Sequence, residues 1–389
     1  MGSPDAVTAL RGGRVYLSSG VVEGGQVVFR GKRILSAGPL GPPPSGACVL
    51  DLDGALILPG FMDLQVNGGA GRAVMEASPE AIEAIAEDLA RRGTTSFLPT
   101  LISAPRELLQ EGLLAISKAR GQGRGAAVLG AHLEGPFLNP RVSGAHLQGH
   151  LRPPDPGELE RYAKSWEGGP LVLTLAPELP GALSVIRRMT RFGWIPALGH
   201  TAATYEEARL AIASGARLAT HTFNGMGGFH HREPGVLGAI LDSPEVMAGF
   251  IADGVHVHPA ALRMAIRAKG AKGTFLVSDA TPLGEGEVSQ AFMGEVPVRL
   301  RGGRVETPEG VLAGALLSLR GALKNGMEFC QLPLEGVLPW VSENPARALG
   351  LSHRKGRLAQ GLDADILVMD QDLEVRLVFV EGELLLDRR

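Results

Sequence analysis

Short β-rich apolar runs alternate with helical segments through the middle of this chain, across residues 59–345. The first two runs read FMDLQVN and TSFLPT, and the last two read VMAGFIADG and TFLVSDA. This alternation is typical of parallel strands that are joined by crossover helices. Eight such runs can be counted, and eight βα units in one stretch predict a (β/α)8 TIM barrel.

The helical segments carry start and stop signals of their own. A helix is predicted over 79–92, where Ser78 can cap the first turn and Pro79 occupies it. Its apolar residues recur at the spacing of an amphipathic helix. Other helices are predicted at residues 105–119, 181–192, 204–214, 259–269 and 314–329.

The two ends of the chain differ from the middle, because residues 5–58 and 356–389 read as short strands with tight turns. Neither end is large enough to build a stable sheet with a core alone. We therefore expect one small β-sandwich domain formed by both termini. The predicted division is 1–58 plus 346–389 for this domain and 59–345 for the barrel.

Composition narrows the class of protein. The chain has 389 residues, of which 44% are hydrophobic and 20% charged, as in soluble globular proteins. A formal net charge of −3, without a basic run, argues against nucleic acid as a partner. The sequence has neither an apolar signal core at its start nor a run long enough to span a bilayer, so we expect no membrane partner and a cytoplasmic location. Two distant cysteines, Cys48 and Cys330, do not indicate a disulfide framework.

Four chemically capable residues stand where β-rich runs end: Glu134, His200, His221 and Asp279. In barrels of this type, catalytic residues gather at the C-terminal ends of the strands. Two histidines and a glutamate can hold a divalent metal and leave a position open for water. The remaining aspartate can then move protons. The pattern predicts a metal-dependent hydrolase.

The ordered motifs around these residues resemble the N-acetylglucosamine-6-phosphate deacetylases of the amidohydrolase superfamily. The motifs are LPGFMDLQVNGGAG, HLEGPFLNP, SGAH, LGHT, HTFNGM, HHREPG, DGVHV and SDAT. The resemblance covers residues 58–350, and KGRLAQGLDADILVMD near the C-terminus fits the flanking sandwich of the superfamily. It implies hydrolysis of N-acetyl-D-glucosamine 6-phosphate to D-glucosamine 6-phosphate and acetate, in amino-sugar catabolism.

The resemblance also implies the roles of the residues at the strand ends. Glu134, His200 and His221 match the metal ligands of the family. Asp279 matches its catalytic aspartate. His146 matches a catalytic histidine that hydrogen-bonds the acetyl carbonyl.

A second set of matched residues is implied to bind the substrate. These residues are Ala145, His146, Asn224, Gly225, Arg232, His256, Leu312, Ala313 and Gly314. Asn224 and Gly225 match a pair whose side-chain amide and backbone meet the phosphate, and His256 matches a histidine contacting sugar and phosphate. Arg232 matches an arginine that reaches the phosphate of the neighbouring subunit in family dimers. We therefore expect a homodimer.

Two amides indicate how many metals the site holds. Gln65 and Asn67 stand where many superfamily members have metal-binding histidines. Amides are poor ligands for a soft or borderline metal. We expect one divalent ion per chain, Zn²⁺ in the first place, with other divalent transition metals as alternatives. The chain also departs from the family at Gly225, where alanine is frequent, and at Ala315, where serine is frequent.

Three alternative functions follow from the same residues. The substrate could be an epimer such as N-acetylgalactosamine 6-phosphate, and the sequence leaves this open. A cyclic amidase or aminohydrolase has no use for the phosphate set of Asn224, Arg232 and His256. A catalytically inactive scaffold predicts loss of a ligand or of Asp279, whereas all four strand-end residues are retained.

Overall fold

Eight parallel strands form a barrel in the computed structural model, which describes residues 6–122 and 124–389. In chain order the barrel strands are Phe61–Val66, Thr94–Ile102, Ala131–Glu134, Leu171–Leu175, Ile195–Leu198, Leu218–Ala219, Met247–Phe250 and Thr274–Leu276. Each pairs in parallel with the next. Beyond the last strand, Asn67 N donates to Ala280 O at 2.8 Å and Asp279 N donates to Gln65 O at 3.1 Å, which joins the eighth strand to the first. The predicted barrel is confirmed.

Helices follow most barrel strands and cover the outside of the barrel. They are Pro79–Arg91, Arg106–Ala119, Pro156–Ser165, Ala182–Arg191, Tyr205–Ser214, Gly235–Asp242, Pro259–Lys269 and Leu319–Cys330, followed by the short Leu334–Val337 and Glu343–Ala348. The first begins as predicted, because the Ser78 side chain accepts a hydrogen bond from Ala81 N at 3.2 Å. Its apolar face, Ile82 included, is buried against the barrel.

The prediction of a helix from residue 314 was wrong at its start. The helix begins at Leu319, where Ser318 accepts a hydrogen bond from Gly321 N at 3.2 Å. The preceding residues continue the barrel edge instead, since Ala315 N donates to Asp279 O at 2.9 Å. Gly314 has a φ of 72°, which lies outside the helical region.

A small three-stranded antiparallel sheet stands between the eighth barrel strand and helix Leu319–Cys330. Its strands are Gln290–Met293, Val296–Arg301 and Arg304–Glu306. The sequence analysis predicted no structure here. The sheet buries Met293 and Val298 but leaves Phe292 exposed, so its alternation of apolar and polar residues is short and incomplete.

The two chain ends share one eight-stranded sheet. Its strands are Val7–Leu17, Gly20–Arg30, Arg33–Gly38, Cys48–Asp51, Leu56–Pro59, Ile366–Met369, Val375–Val380 and Glu383–Asp387. Ile366–Met369 pairs antiparallel with Leu56–Pro59, and this ladder joins the termini. A hydrophobic cluster separate from the barrel core packs here, with Phe29 and Phe379 in edge contact at a centroid distance of 5.2 Å.

This sheet confirms the prediction that both termini together form a separate β domain. The exact limits, 1–58 with 346–389 against 59–345, remain our proposal. The first five residues of the proposed terminal domain lie outside the described residues. Within the described ranges, no helix has both the length and the apolar character that a membrane crossing requires. Cys48 and Cys330 are free thiols.

A buried ion pair ties together the segment that leads into the C-terminal strands. Lys355 has a side chain only 2% exposed, and its Nζ lies 2.6 Å from Asp365 Oδ2 and 3.1 Å from Asp363 Oδ2. Burial alone would lower the pKa of Lys355, but the charges of Asp365 and Asp363 raise it above its ordinary value. The ammonium therefore stays protonated and compensates two buried carboxylates.

We expect Lys355→Ala to lower the free energy of unfolding by about 3–5 kcal/mol, because it leaves the buried Asp365 carboxylate without its counter-charge, whereas Asp363 keeps Arg33 and Arg354. Lys32→Ala is the matched control, since Lys32 also pairs with a carboxylate, Glu381, but has a side chain 73% exposed. An exposed pair contributes about 0–1 kcal/mol. Denaturant titration followed by circular dichroism measures both changes. Equal losses in the two variants would contradict the structural role of Lys355.

Candidate active site

The carboxyl ends of four barrel strands deliver the central side chains of the site. Glu134 is the last residue of its strand, whereas His200, His221 and Asp279 follow two or three residues after theirs. These three have left-handed backbones, with φ of 47°, 25° and 51°. Such a conformation costs a non-glycine residue on the order of 1–3 kcal/mol and persists only where the surroundings hold it. The backbone turns that begin there bring the side chains into the barrel mouth.

Glu134 is the centre of the cluster. Its Oε1 lies 2.7 Å from His221 Nε2 and 2.9 Å from His200 Nε2. Its Oε2 accepts a hydrogen bond from Gln65 Nε2 at 3.1 Å. All these side chains are buried. One ligand atom from each of Glu134, His200 and His221 lies within 4.8 Å of the other two, which is close enough for a shared metal ion.

The hydrogen bonds of His200 provide a test of whether a metal suits this cluster. Its Nδ1 lies 3.1 Å from Val142 O. A carbonyl oxygen only accepts, so Nδ1 must carry the proton. Burial lowers the pKa of His200 to about 4, so the ring is neutral at pH 7 and its Nε2 carries a lone pair. That lone pair faces Glu134 Oε1, which also carries lone pairs, so the two atoms repel each other. A cation bound by both atoms would remove this repulsion. This is the arrangement expected of a metal-binding histidine.

Protonated His221 is the counter-charge of the buried Glu134 carboxylate. Burial alone would lower the pKa of His221, but the hydrogen bond to Glu134 and its charge raise it to about 9. Burial likewise favours a protonated Glu134, yet the hydrogen bond and the positive charge of His221 hold the pKa of Glu134 well below its ordinary value. Metal ligands must be deprotonated, so a bound metal displaces the His221 proton and takes its place as counter-charge.

Asp279 stands beside the cluster as a second buried carboxylate. Its side chain accepts a hydrogen bond from Asn67 Nδ2 at 2.8 Å, which fixes the orientation of the carboxylate. Burial, together with the charge of Glu134, raises the pKa of Asp279 above its ordinary value. A carboxylate with a raised pKa is a better proton acceptor, which suits a general base.

His146 offers a hydrogen-bond donor to the same space. The backbone N–H of Ser103 donates to His146 Nδ1 at 3.2 Å. Because Nδ1 accepts, the neutral ring carries its proton on Nε2. This Nε2 lies 3.9 Å from Glu134 Oε1, at the edge of the cluster. An N–H at this position can stabilise negative charge on a substrate oxygen.

A cavity of about 290 Å³ opens above the cluster. It is lined by Asn67, Ile102, Glu134, Gly144, Ala145, His146, His200, His221, Asn224, Gly225, Ile251, His256, Asp279, Met293, Val311, Leu312, Ala313 and Gly314. Among the predicted substrate-binding residues in the described ranges, all line this cavity except Arg232. Arg232 lies in an exposed loop, where its guanidinium is 3.2 Å from His231 Nε2.

The turn after the sixth barrel strand lies directly against the metal cluster. Asn224 Nδ2 donates to the backbone carbonyl of His221 at 3.1 Å. Gly225 has a φ of 60°, and a Cβ on it would come within 2.6 Å of His200 Nδ1. The glycine therefore permits a closer approach of backbone to metal ligand than alanine does.

Sequence reasoning missed the residues that orient the functional side chains. Asp253 holds His256 through its Oδ2, which lies 2.6 Å from His256 Nδ1. Burial alone would raise the pKa of Asp253, but this hydrogen bond lowers it. The spacing in DGVH is a signal that could have found Asp253. Ser103 contacts His146 Nδ1 with both its backbone N–H and its hydroxyl, at 3.2 Å and 3.0 Å, and Met293 comes from the unpredicted small sheet. Neither residue has a recognisable signal in the sequence.

Comparisons with known proteins give a family for this fold and site. Residues 56–385 match the family model described as "Amidohydrolase family". The N-acetylglucosamine-6-phosphate deacetylase of Bos taurus is 37% identical over 346 residues, which cover 86% of this chain and 84% of the bovine protein. The N-acetylgalactosamine-6-phosphate deacetylase of Escherichia coli O157:H7 is 35% identical over 342 residues, covering 88% of this chain and 90% of that protein.

A solved structure extends the similarity to the whole fold. It is a mutant N-acetyl-D-glucosamine-6-phosphate deacetylase from Mycobacterium smegmatis in complex with N-acetyl-D-glucosamine-6-phosphate. It superposes with a TM-score of 0.92 at 30% identity and covers 98% of this chain and 100% of that chain. Barrel and terminal sheet are therefore both shared with this protein.

We expect the purified protein to retain one tightly bound metal ion per chain after dialysis. The reason is that Gln65 and Asn67 donate hydrogen bonds to Glu134 and Asp279 where a second metal would need lone pairs. Elemental analysis of the dialysed protein gives the stoichiometry, and stepwise metal addition to the stripped protein gives the activity at each equivalent. Two retained equivalents, both needed for turnover, would sink this prediction.

Proposed function

Because the chain belongs to the amidohydrolase family, we propose that it hydrolyses N-acetyl-D-glucosamine 6-phosphate to D-glucosamine 6-phosphate and acetate. One observation carries the proposal: the buried Asp279 carboxylate stands beside the cluster of Glu134, His200 and His221 in a single cavity. A proton acceptor beside a candidate metal site is what amide hydrolysis requires. The named relatives, which share most of the chain, act on phosphorylated N-acetyl sugars.

Glu134, His200 and His221 would hold one divalent metal. When bound, it supplies Lewis-acid polarisation of the amide carbonyl and lowers the pKa of water to about 7. Two imidazoles and a carboxylate suit Zn²⁺, our first expectation, and other divalent transition metals accept the same donors.

The side chains of the protein carry out the proton transfers. Asp279 takes the proton of the attacking water and delivers it to the leaving nitrogen, so that glucosamine 6-phosphate leaves as a neutral amine. Asn67 keeps the Asp279 carboxylate in place through its 2.8 Å hydrogen bond. His146 donates its Nε2–H to the substrate carbonyl oxygen as negative charge develops there. A donor of this kind contributes about 10²–10³ in rate.

Phosphate recognition involves a second group of residues in the same cavity. We assign the phosphate to the Asn224 amide, the Gly225 backbone N–H and His256, and the rest of the substrate to Ala145, Leu312, Ala313 and Gly314, which line the same cavity. Arg232 is exposed and outside the cavity of its own chain. A homodimer in which Arg232 reaches the neighbouring site accounts for this position, and two-fold dimers are the commonest assemblies.

The second candidate substrate is N-acetylgalactosamine 6-phosphate, which the similarity to the Escherichia coli relative favours. The two sugars are epimers that differ at one hydroxyl, so kcat/KM for both, measured with the same preparation, decides between them. We also propose a cytoplasmic location. A phosphorylated sugar is charged and does not cross a bilayer unaided, so its hydrolase belongs in the compartment where the phosphate is added.

Acetate release from N-acetyl-D-glucosamine 6-phosphate tests the proposed reaction, with Asp279→Asn as the diagnostic variant. An amide cannot accept and return the proton, so we expect turnover to fall by about 10²–10⁴. Metal content and substrate binding should persist in this variant. Near-normal turnover would assign the general base to another residue, and an inactive wild type loaded with metal would contradict the reaction itself.

Arg232→Ala should mainly raise KM for the phosphorylated sugar, because a phosphate remote from the amide is bound alike in ground and transition states. Some loss of kcat is expected where that binding also orients the amide. The unphosphorylated sugar should be a poor substrate whose kinetics barely change.

Mixing Arg232→Ala chains with Asp279→Asn chains tests whether sites are shared between subunits. Heterodimers then contain one site with both native residues, so activity should recover. A fully active monomer, or no recovery despite proven subunit exchange, would rule out the shared site.

A further inference from the structure

We infer that Glu178 is a positioning residue that holds the metal ligand His200 and the phosphate-binding turn at Gly225 in fixed relation. The inference rests on the proposed function, since it takes Glu134, His200 and His221 as the metal site. The fourth barrel strand ends at Leu175, and Glu178 lies half-buried in the loop that follows.

The Glu178 carboxylate accepts three hydrogen bonds from two neighbouring loops. Asn139 Nδ2 and Ala202 N donate to Oε1 at 2.8 Å and 2.7 Å. Thr201 Oγ1 donates to Oε2 at 2.6 Å. Asn139 belongs to the loop after the third barrel strand, whereas Thr201 and Ala202 directly follow His200 in the loop after the fifth. Hydrogen bonds to an ionised acceptor are stronger than neutral ones, so Glu178 holds the two loops together. We call Glu178 and its three partners, Asn139, Thr201 and Ala202, the clamp.

Asn139 connects the clamp to both the backbone and the ring of His200. Asn139 N donates to the backbone carbonyl of His200 at 3.0 Å. Asn139 Oδ1 accepts from Arg141 N at 2.9 Å and so starts the turn that presents Val142 O to His200 Nδ1. The backbone of His200 and the orientation of its ring therefore both depend on the placement of Asn139.

Thr201 extends the clamp to the phosphate side of the cavity. Thr201 N donates to Gly225 O at 2.9 Å, and Gly227 N donates to Thr201 O at 3.2 Å. These two bonds pair the residue next to the metal ligand with the turn that presents the Gly225 backbone. Glu178 thus connects the metal subsite and the phosphate subsite. Among the described residues that line the substrate cavity, Glu178 is absent, so it acts through the residues it holds.

Replacing Glu178 with glutamine removes its charge but can preserve its hydrogen bonds, so this variant tests the two contributions separately. In Glu178→Gln, Oε1 can still accept from Asn139 and Ala202, and Nε2 can donate to Thr201 Oγ1. A hydroxyl has two acceptor lone pairs, and Thr201 Oγ1 at present accepts only from Ala203 N at 3.0 Å among the contacts within the described chain. Glu178→Ala removes all three bonds. Glu206→Ala is the control, because Glu206 is an exposed carboxylate on the adjacent helix.

The experiment measures Zn²⁺ affinity of the full chain after metal removal, by competition with a chromophoric chelator. We expect Glu178→Ala to raise the Zn²⁺ dissociation constant about 10–100-fold, as is typical when a partner of a metal ligand is removed. Glu178→Gln should stay close to wild type, and Glu206→Ala should equal it. At saturating Zn²⁺, Glu178→Ala should also raise KM for the phosphorylated sugar more than it lowers kcat.

A second variant covers the case in which Glu178→Ala fails to fold. Asn139→Asp keeps the acceptor for Arg141 N but turns a carboxylate oxygen toward Glu178, so like charges repel across the clamp. It should weaken Zn²⁺ binding in the same direction. Far-UV circular dichroism at the titration temperature confirms that each variant is folded.

Two results would overturn the inference: a folded Glu178→Ala with the Zn²⁺ affinity of Glu206→Ala, or an equal loss in Glu178→Gln. A protein that merely needs Glu178 for stability would show a lower unfolding midpoint with unchanged Zn²⁺ affinity. Because the titration uses no substrate, it is independent of the reaction. A wild type that binds Zn²⁺ tightly through this clamp yet releases no acetate would contradict the proposed function alone.

Discussion

The burial of the Glu134 carboxylate is the constraint on which the site depends. A charge in the mouth of a barrel is costly unless paired and hydrogen-bonded. Here one oxygen faces His200 and His221 and the other accepts from Gln65. Glu134 thereby draws side chains from the first, fifth and sixth barrel strands onto one point. The same demand for positive charge makes the cluster suited to a metal.

The two amides of the first strand have a role beyond their poor affinity for metals. Gln65 and Asn67 each direct an N–H toward a carboxylate, Glu134 in one case and Asp279 in the other. They therefore fix two carboxylates with different proposed roles, metal binding for Glu134 and proton transfer for Asp279. A pair of neutral donors does this without adding charge to a cavity that already holds two buried acids.

The fold and the candidate site residues could be predicted from the sequence because both have local signals. The alternation of apolar runs and helices marks the barrel, and Glu134, His200, His221 and Asp279 stand at the ends of such runs. The supporting residues have no such signal. Glu178 and Asn139 meet across two loops, and Ser103 contacts His146 from 43 residues away in sequence. The small sheet at 290–306 was missed because its strands are short and alternate incompletely, although their pairing is local. The late start of helix Leu319–Cys330 was missed because the residues before it pair with Asp279, which is distant in sequence.

The ladder between Leu56–Pro59 and Ile366–Met369 joins segments that are made at opposite ends of synthesis. Leu56–Pro59 runs almost directly into the first barrel strand, which carries Gln65 and Asn67. Its partner strand emerges from the ribosome only after the whole barrel has been made. Contacts between such distant segments form slowly. A nascent chain that stops short of residue 366 therefore carries every candidate site residue while the strand that leads into the barrel still lacks its antiparallel neighbour.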